Sequence, residues 1–273
     1  MPAQVSPPLG TGLKHWRIAL AAFVGLLLIG FALLWFMPAR WAVPLLAGRL
    51  NGLQLHDVSG LLWQGRAGQV VSATGTPLGP LEWTLDRRAL LGEQHVRVDL
   101  QGPRVQLHGR MDGRNAAEAV WTDVQMRADM DALGPRLNLP MGRPRGVLQL
   151  TANRAQLHGG WPVVLDARIH WQDATLRTPH QGELPLGDLT LSLRGSNGVV
   201  EGHLHDDGNG PLRIDGRLQL SPLAWRFNAV AAPRQPAPAL QRWLASFGAV
   251  DADGVTHIQY KGGLAAAMPE GKS

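Results

Sequence analysis

Residues 163–172, VVLDARIHWQ, alternate apolar and polar side chains almost one by one. Successive side chains of a β-strand point to opposite faces of its sheet, so this period of two predicts a strand with one dry face and one wet face. A helix repeats every 3.6 residues and would spread these apolar side chains around its whole surface. The stretch therefore favours an all-β fold.

The same alternation recurs along most of the chain after residue 53. It is clear in residues 81–86 (LEWTLD) and 96–101 (VRVDLQ), and short polar turns such as 195–198 (GSNG) and 206–210 (DDGNG) separate the runs. Short turns favour antiparallel neighbours, because a parallel pairing needs a long crossover. We predict ten to twelve strands in a long, curved, mainly antiparallel sheet, folded over or half-barrel in shape, over residues 53–264.

One segment of this region has a helical period instead. Residues 237–247 place Leu240, Trp243, Leu244 and Phe247 on one helical face. We predict a short C-terminal helix that caps an open end of the sheet, followed by a last strand over residues 255–260. Residues 265–273 are predicted to be a disordered tail.

Residues 18–37, IALAAFVGLLLIGFALLWFM, contain no charged residue. Twenty residues of helix rise about 30 Å, which matches the hydrocarbon core of a bilayer. Trp16, Trp35 and Trp41 lie where indole rings prefer the membrane interfaces. The apolar run is longer than that of a cleaved signal peptide, so we predict a retained transmembrane helix.

The orientation follows from length rather than from charge. Lys14 and Arg17 precede the span while Arg40 and Arg49 follow it, so the local count of basic residues is even. Long domains cross the membrane largely regardless of their charge. We therefore predict a cytoplasmic tail over residues 1–17, a juxtamembrane segment with a short helix over residues 38–52, and a β domain outside the cytoplasm.

Composition and motifs argue against several functional classes. The 26 basic and 21 acidic residues are interspersed, and no basic block suggests nucleic-acid binding. The absence of cysteine excludes disulfides and thiolate chemistry. His203 and His205 would project from one strand face, but a catalytic zinc site needs a third ligand. With no nucleophile elbow or phosphate loop, we predict a protein that is not an enzyme and has no cofactor or metal.

The tryptophans follow a second pattern. Ten tryptophans stand against one tyrosine, and most of those after residue 53 fall in or beside predicted strands. We expect most of them to be core or strand-pair anchors. Any that are exposed would mark a surface for a partner or for lipid.

Residues 58–67, VSGLLWQGRA, follow the apolar segment closely. This stretch resembles the type II secretion system protein N family, whose periplasmic part characteristically begins Gly-x-x-Trp-x-Gly-x-Ala. Residues 78–85 (LGPLEWTL) and 90–92 (LLG) are similar to the segment that follows in the family, and residues 211–218 and 253–264 resemble its C-terminal part. The family-motif residues are Gly60, Trp63, Gly65, Gly79, Trp83 and Gly92.

The resemblance implies an inner-membrane accessory component of the secretion apparatus, with its domain in the periplasm. Implied partners are other type II secretion subunits, in the inner-membrane platform or toward the secretin. It implies no catalytic residue. From the residues themselves, Gly60 and Gly65 permit tight backbone bends while Trp63 plugs one end of the sheet, so a structural role is expected.

A second function stays open. A folded-over sheet with an apolar inner face, AsmA-like or β-taco-like, could bind lipid in its groove and transfer it across the periplasm. A lipid groove needs an apolar face too wide to close on itself, whereas a packing core closes. A periplasmic hydrolase is the third alternative, and none of its acid–base or nucleophile arrangements is visible.

Overall fold

A computed structural model describes residues 23–25, 35–46, 52–73, 75–115, 117–130 and 142–263. The predicted tails 1–17 and 265–273 and most of the predicted span 18–37 lie outside these residues. Within the described part of the chain, no helix has both the length and the apolar character required to cross a membrane.

Fourteen strands form one antiparallel, curved and open sheet, as the alternation predicts. The order in the sheet follows the chain except at the end, where β14 lies between β12 and β13. The strands are β1 (Gln54–Gly60), β2 (Gln64–Val71), β3 (Pro77–Leu85), β4 (Gln94–Gln101), β5 (Val105–Asn115), β6 (Glu118–Asp129), β7 (Arg143–His158), β8 (Trp161–Thr178), β9 (Gly182–Ser196), β10 (Val199–Asp206), β11 (Leu212–Leu220), β12 (Ala224–Pro233), β13 (Gly248–Val250) and β14 (Thr256–Gly263).

Three short helices lie beside or between the strands, and the described residues 23–25 and 35 are also helical. Helix α1 (Ala39–Leu46) precedes β1 and lies against it. A 3₁₀ helix (Arg87–Leu91) joins β3 to β4. Helix α2 (Pro238–Ala245) follows β12, inside the segment for which the helical period predicted a helix.

One row of directly opposed residues crosses thirteen strands of the sheet and is apolar throughout. Its members pair in register from each strand to the next, which defines the apolar face of the sheet. The row is Val58, Ala67, Leu81, Leu100, Leu107, Met126, Leu150, Ile169, Leu191, Leu204, Gly216, Ala229 and Ile258.

The apolar face is fully buried at two places and half-buried between them. A cluster over the first six strands centres on Ala67, Leu100 and Ala128. A second cluster lies where Leu240 and Leu244 of α2 pack onto the last strands. The central members of the row, Leu107, Met126, Leu150, Ile169, Leu191 and Leu204, are only half-buried.

The sequence underestimated both the number and the length of the strands. The structure has fourteen strands rather than ten to twelve, and β8 alone is 18 residues long. The period of two is interrupted inside β8, where Asp173 adopts a φ of 49° and is skipped in the pairing with β9. Such a bulge bends a strand without ending it, so one strand carries two alternating runs of opposite phase. Strand β13 has three residues and is too short to show a period.

Candidate functional site

The residues that end the apolar segment are hydrogen-bonded to the first β-hairpin. The backbone N–H of Leu62 donates to the carbonyl of Met37 at 2.9 Å, and Pro38 forms a β-bridge with Leu61. The indole N–H of Trp63 donates to the carbonyl of Trp35 at 3.0 Å. We call this connection, between residues 35–38 and the β1–β2 hairpin, the junction.

Trp63 lies at the centre of the junction. Its side chain is only 5% exposed, although it stands in the turn between β1 and β2, where most side chains meet water. Its carbonyl accepts a hydrogen bond from the N–H of Leu85 at 2.7 Å, which ties the turn to the end of β3. One residue therefore connects the incoming chain, the hairpin turn and the third strand.

Trp83 closes the junction from the neighbouring strand. It lies directly opposite Gly65, and its indole N–H donates to the carbonyl of Leu62 at 3.1 Å. A Cβ atom added to Gly65 would overlap the six-membered ring of Trp83 and would lie 2.9 Å from the carbonyl oxygen of Leu61. Glycine at position 65 thus makes room for the indole ring that supports the hairpin turn.

Gly60 shapes the turn itself. Its φ is +86°, a left-handed conformation that glycine adopts without strain. A Cβ atom there would lie 2.7 Å from the carbonyl oxygen of Gln64. The turn closes through reciprocal backbone hydrogen bonds between Leu61 and Gln64, of 2.9 and 3.2 Å.

The 3₁₀ helix adds a charged contact to the junction. The guanidinium of Arg87 lies 4.3 Å from the centre of the Trp35 ring, which is a cation–π geometry. Asp86 caps the start of this helix by accepting from the N–H of Arg88 at 2.9 Å. Gly92 ends it with a φ of +91°, and its N–H bonds to the carbonyl of Ala89.

The structure brings together four of the six family-motif residues at the junction: Gly60, Trp63, Gly65 and Trp83. Gly92 ends the adjoining 3₁₀ helix. Gly79 is elsewhere, near the opposite end of β3, where an added Cβ would overlap the backbone of Gly102 in the turn between β4 and β5. Gly79 therefore makes a close backbone approach away from the junction.

The motif did not reveal the other half of the junction. Trp35 and Met37 contribute carbonyl oxygens, and Pro38 contributes backbone pairing, so side-chain chemistry gives no sign of these contacts. From the sequence pattern, Trp35 is predicted only to lie at the membrane interface. The sequence signal that could have revealed these contacts was the pair of tryptophans, Trp63 and Trp83, near the hairpin turn. A buried indole needs an acceptor for its N–H, and backbone carbonyls nearby can supply it.

Replacing Gly65 with alanine should displace Trp83 and destabilise the sheet by about 1–3 kcal/mol, the usual cost of overpacking. Chemical denaturation of the purified full-length chain would measure it. The double variant G65A/W83F removes the overlapping part of the indole, so it should be less destabilised than the sum of the two single variants. Strict additivity in this cycle would contradict the contact.

The opposite, polar face is covered with histidine–carboxylate pairs. Six of its described histidines lie 2.5–3.9 Å from an acidic side chain, mostly across neighbouring strands: His95–Asp112, His108–Asp99, His158–Glu118, His170–Asp188, His203–Asp215 and His257–Asp251. The rings of His203 and His205 stack with their centroids 5.2 Å apart. Among the described residues, no three histidine or acidic side chains are grouped to hold a metal ion. Cross-strand pairing is the role this arrangement supports.

At the other end of the sheet, the last strand, β13, is short and covers only part of its neighbour β14. Strand β13 pairs with β14 only over Thr256–Ile258. The turn between them is held by Asp251, whose carboxylate accepts from the N–H of Val255 at 2.9 Å and contacts His257 at 3.1 Å. These hydrogen bonds lower the pKa of Asp251 below its usual value. We call the remainder of β14, Gln259–Gly263, the far edge.

A family model described as type II secretion system (T2SS), protein N, matches residues 51–259. The type II secretion system protein N of Klebsiella pneumoniae is 33% identical over 230 residues, which are 80% of this chain and 85% of that protein. No solved structure matches the chain. The region that the family model matches begins just before β1 and ends inside β14, so it includes the hairpin side of the junction.

Proposed function

This chain belongs to the type II secretion system protein N family, and from this membership we propose that it is an accessory, structural component of the secretion system in the inner membrane. Residues 18–37 anchor it, its N-terminus is cytoplasmic, and its sheet lies in the periplasm. The sheet contacts other subunits of the system, in the inner-membrane platform or at the secretin. It acts by binding and positioning, not by catalysis.

The junction is the observation that carries this proposal. A domain on a flexible tether would need no contact between its anchor and its core. Here residues 35–38 make two hydrogen bonds and a β-bridge with the first hairpin, and the indole that donates one of them is buried. Such a junction fixes the direction in which the sheet leaves the anchor, which suits a component that must reach a partner at a set position.

The dimensions of the sheet support the same role. Fourteen strands make thirteen inter-strand steps, and at about 4.8 Å per step the sheet is about 60 Å long along its curve. The junction is at the first hairpin, and the far edge is at the other end of the strand order. The protein can therefore connect the membrane surface to a subunit well removed from it.

The test of this function uses a bacterium that carries the gene and an active type II system. Deleting the gene should leave a secreted cargo enzyme in the periplasm, and the full-length chain should restore its export. Normal export in the deletion strain, with no second copy of the gene present, would refute the role. A strain lacking the secretin gives the reference for complete loss of export.

The orientation has its own clean test, because the chain has no cysteine. S6C lies in the predicted cytoplasmic tail, and T151C lies on the exposed polar face of β7. In cells whose outer membrane is permeabilised and whose inner membrane is intact, a membrane-impermeant maleimide should label T151C. It should label S6C only after lysis. Equal labelling of both sites before lysis would refute the proposed orientation.

A lipid-binding function is the second candidate, and the half-buried middle of the apolar row favours it. A photoreactive amino acid at Leu150 would lie on the apolar face, and one at the neighbouring Thr151 would lie on the polar face. Lipid transport predicts a phospholipid adduct at position 150 and none at 151. Absence of lipid at both positions would leave the structural function alone.

A further inference from the structure

The far edge is an open strand edge. Strand β12 pairs with β14 along its whole length on one side, but on the other side β13 ends at Ile258. No described strand pairs with the outer side of Gln259–Gly263. An open edge exposes backbone N–H and C=O groups that can bind another strand.

The register identifies which backbone groups are exposed. The N–H of Asp251 donates to the carbonyl of Val255 at 3.0 Å, so these two residues form the hydrogen-bonded pair that closes the turn and continues the register of the β13–β14 ladder. Hydrogen-bonded pairs alternate along an antiparallel ladder. The next residues of β14 with outward-facing backbone groups are therefore His257, Gln259 and Lys261, of which the last two lie beyond β13.

Exposed apolar side chains are concentrated beside this edge. Among the described residues between 53 and 263, seven large hydrophobic side chains are more than a third exposed, and five of them belong to β12–β14 and the turn before β12. Tyr260 (43% exposed) and Trp225 (41%) both lie on the apolar face, on adjoining strands. The five are Leu223, Trp225, Val230, Val250 and Tyr260.

The near edge, at β1, is protected by comparison. Helix α1 lies against β1. Asp57, in the middle of β1, has a φ of 54°, and neither it nor Gly68 opposite forms a regular pair of the β1–β2 ladder. A covering helix is one of the usual means of blocking strand addition. The two ends of the sheet thus differ: in the part of the chain that the structure describes, only the far edge combines exposed backbone groups with exposed apolar side chains.

We propose that the far edge binds an extended segment of another secretion subunit, which adds to the sheet as a further strand beside Gln259–Gly263. This inference rests on the proposed function and names the site of the subunit contact. The backbone of the segment pairs with Gln259 and Lys261. The segment has apolar residues at alternate positions, and they pack on Tyr260 and Trp225.

A second copy of this chain fits the edge poorly. Antiparallel self-pairing about Tyr260 would place Ile258 of one copy opposite Gly262 of the other. The outer side of Ile258 is already paired with Gly248 of β13. Only positions 259–261 would remain, and three pairs are short of the five or six of an ordinary strand. Self-pairing about Lys261 would use all five residues of the far edge, but it would set the two lysine side chains directly opposite each other, and like charges so placed are destabilising.

The test places a photoreactive amino acid at Lys261 of the full-length chain, in cells with the complete secretion system. We expect an adduct whose cross-linked peptide comes from another secretion subunit. The same probe at Arg97, an exposed position on β4, is the matched control and should give no such adduct. Adding Q259P should lower the adduct at position 261 about tenfold, since proline removes one backbone donor and disturbs its neighbours.

Proline is tolerated on an edge strand when its missing N–H faces outward, so Q259P should keep the thermal midpoint of the parent chain within a few degrees. Q259T keeps the N–H and should keep the adduct. If Q259P unfolds, the inference is decided by comparing the adducts formed by the probe at positions 261 and 97 in the chain that lacks this substitution. An adduct with a second copy, or none at 261, would overturn the inference. Loss of cargo export on gene deletion would still stand, so the two proposals fail separately.

Discussion

W63A is expected to lower the free energy of unfolding by about 3–5 kcal/mol, the range for removing a large buried aromatic side chain. The indole is 5% exposed and bonds to the carbonyl of Trp35, 28 residues earlier in the chain. Its removal leaves a cavity in the turn and breaks the hydrogen bond to the end of the apolar segment. Equilibrium denaturation of the full-length chain, followed by tryptophan fluorescence, measures the change.

Two further variants separate the volume of Trp63 from its hydrogen bond. W63F keeps most of the ring volume and loses the N–H donor, so it should cost less than W63A, about 1–3 kcal/mol. W225A removes the same side chain from a position that is 41% exposed, and should cost about 1 kcal/mol or less. Equal effects of W63A and W225A would contradict the central place of Trp63 in the junction.

The junction also predicts where W63A acts. Amide hydrogen exchange should accelerate first at Leu62 and Leu85, whose N–H groups bond to Met37 and Trp63 respectively. Residues of β8–β10, far along the strand order, should keep their protection unless the whole sheet unfolds. Uniform acceleration along the chain would mean that Trp63 stabilises the sheet as a whole and not its connection to residues 35–38.

The sequence predicted the fold class because the sheet has two unlike faces. Each strand buries side chains on one face only and therefore needs apolar residues only at alternate positions. The period of two is visible in nearly every run from Leu81 to Tyr260. Register was not readable in the same way. The residues that pair with Leu150 on its two neighbouring strands are set by turn lengths and by bulges such as the one at Asp173. These features change the phase of the alternation inside a strand and do not mark where a new strand begins.

The candidate site divides along the same line. Side-chain size decides the contacts of four junction residues, Gly60, Trp63, Gly65 and Trp83. A motif of very small and very large residues therefore indicated them in the sequence. The contacts from residues 35–38 are made by the backbone, and backbone carbonyls look alike at every position of a sequence. The open edge of β14 was hidden for a related reason, because it depends on how short β13 is.

The second large effect is expected at the opposite end of the sheet, where L244A should cost about 2–5 kcal/mol. Leu244 is 1% exposed and packs, with Leu240, in the cluster that contains Leu176 and Leu212. Helix α2 has eight residues and no side-chain cap at its start, so it is too short to be stable alone. Its packing on the apolar face is what keeps it folded.

Q241A is the matched control, since Gln241 lies on the exposed side of the same helix and its truncation should change stability by about 0.5 kcal/mol or less. L244A should also increase binding of a hydrophobic dye, because Leu176 and Leu212 lose their cover. Exchange should rise at Gly248–Val250, which follows α2 directly and limits how far β14 is paired on its outer side. A variant with normal dye binding and normal protection of β13 would show that the sheet end is held by its strands alone. The expected result instead makes α2 the element that fixes β13 in place, and so sets where the open edge of β14 begins.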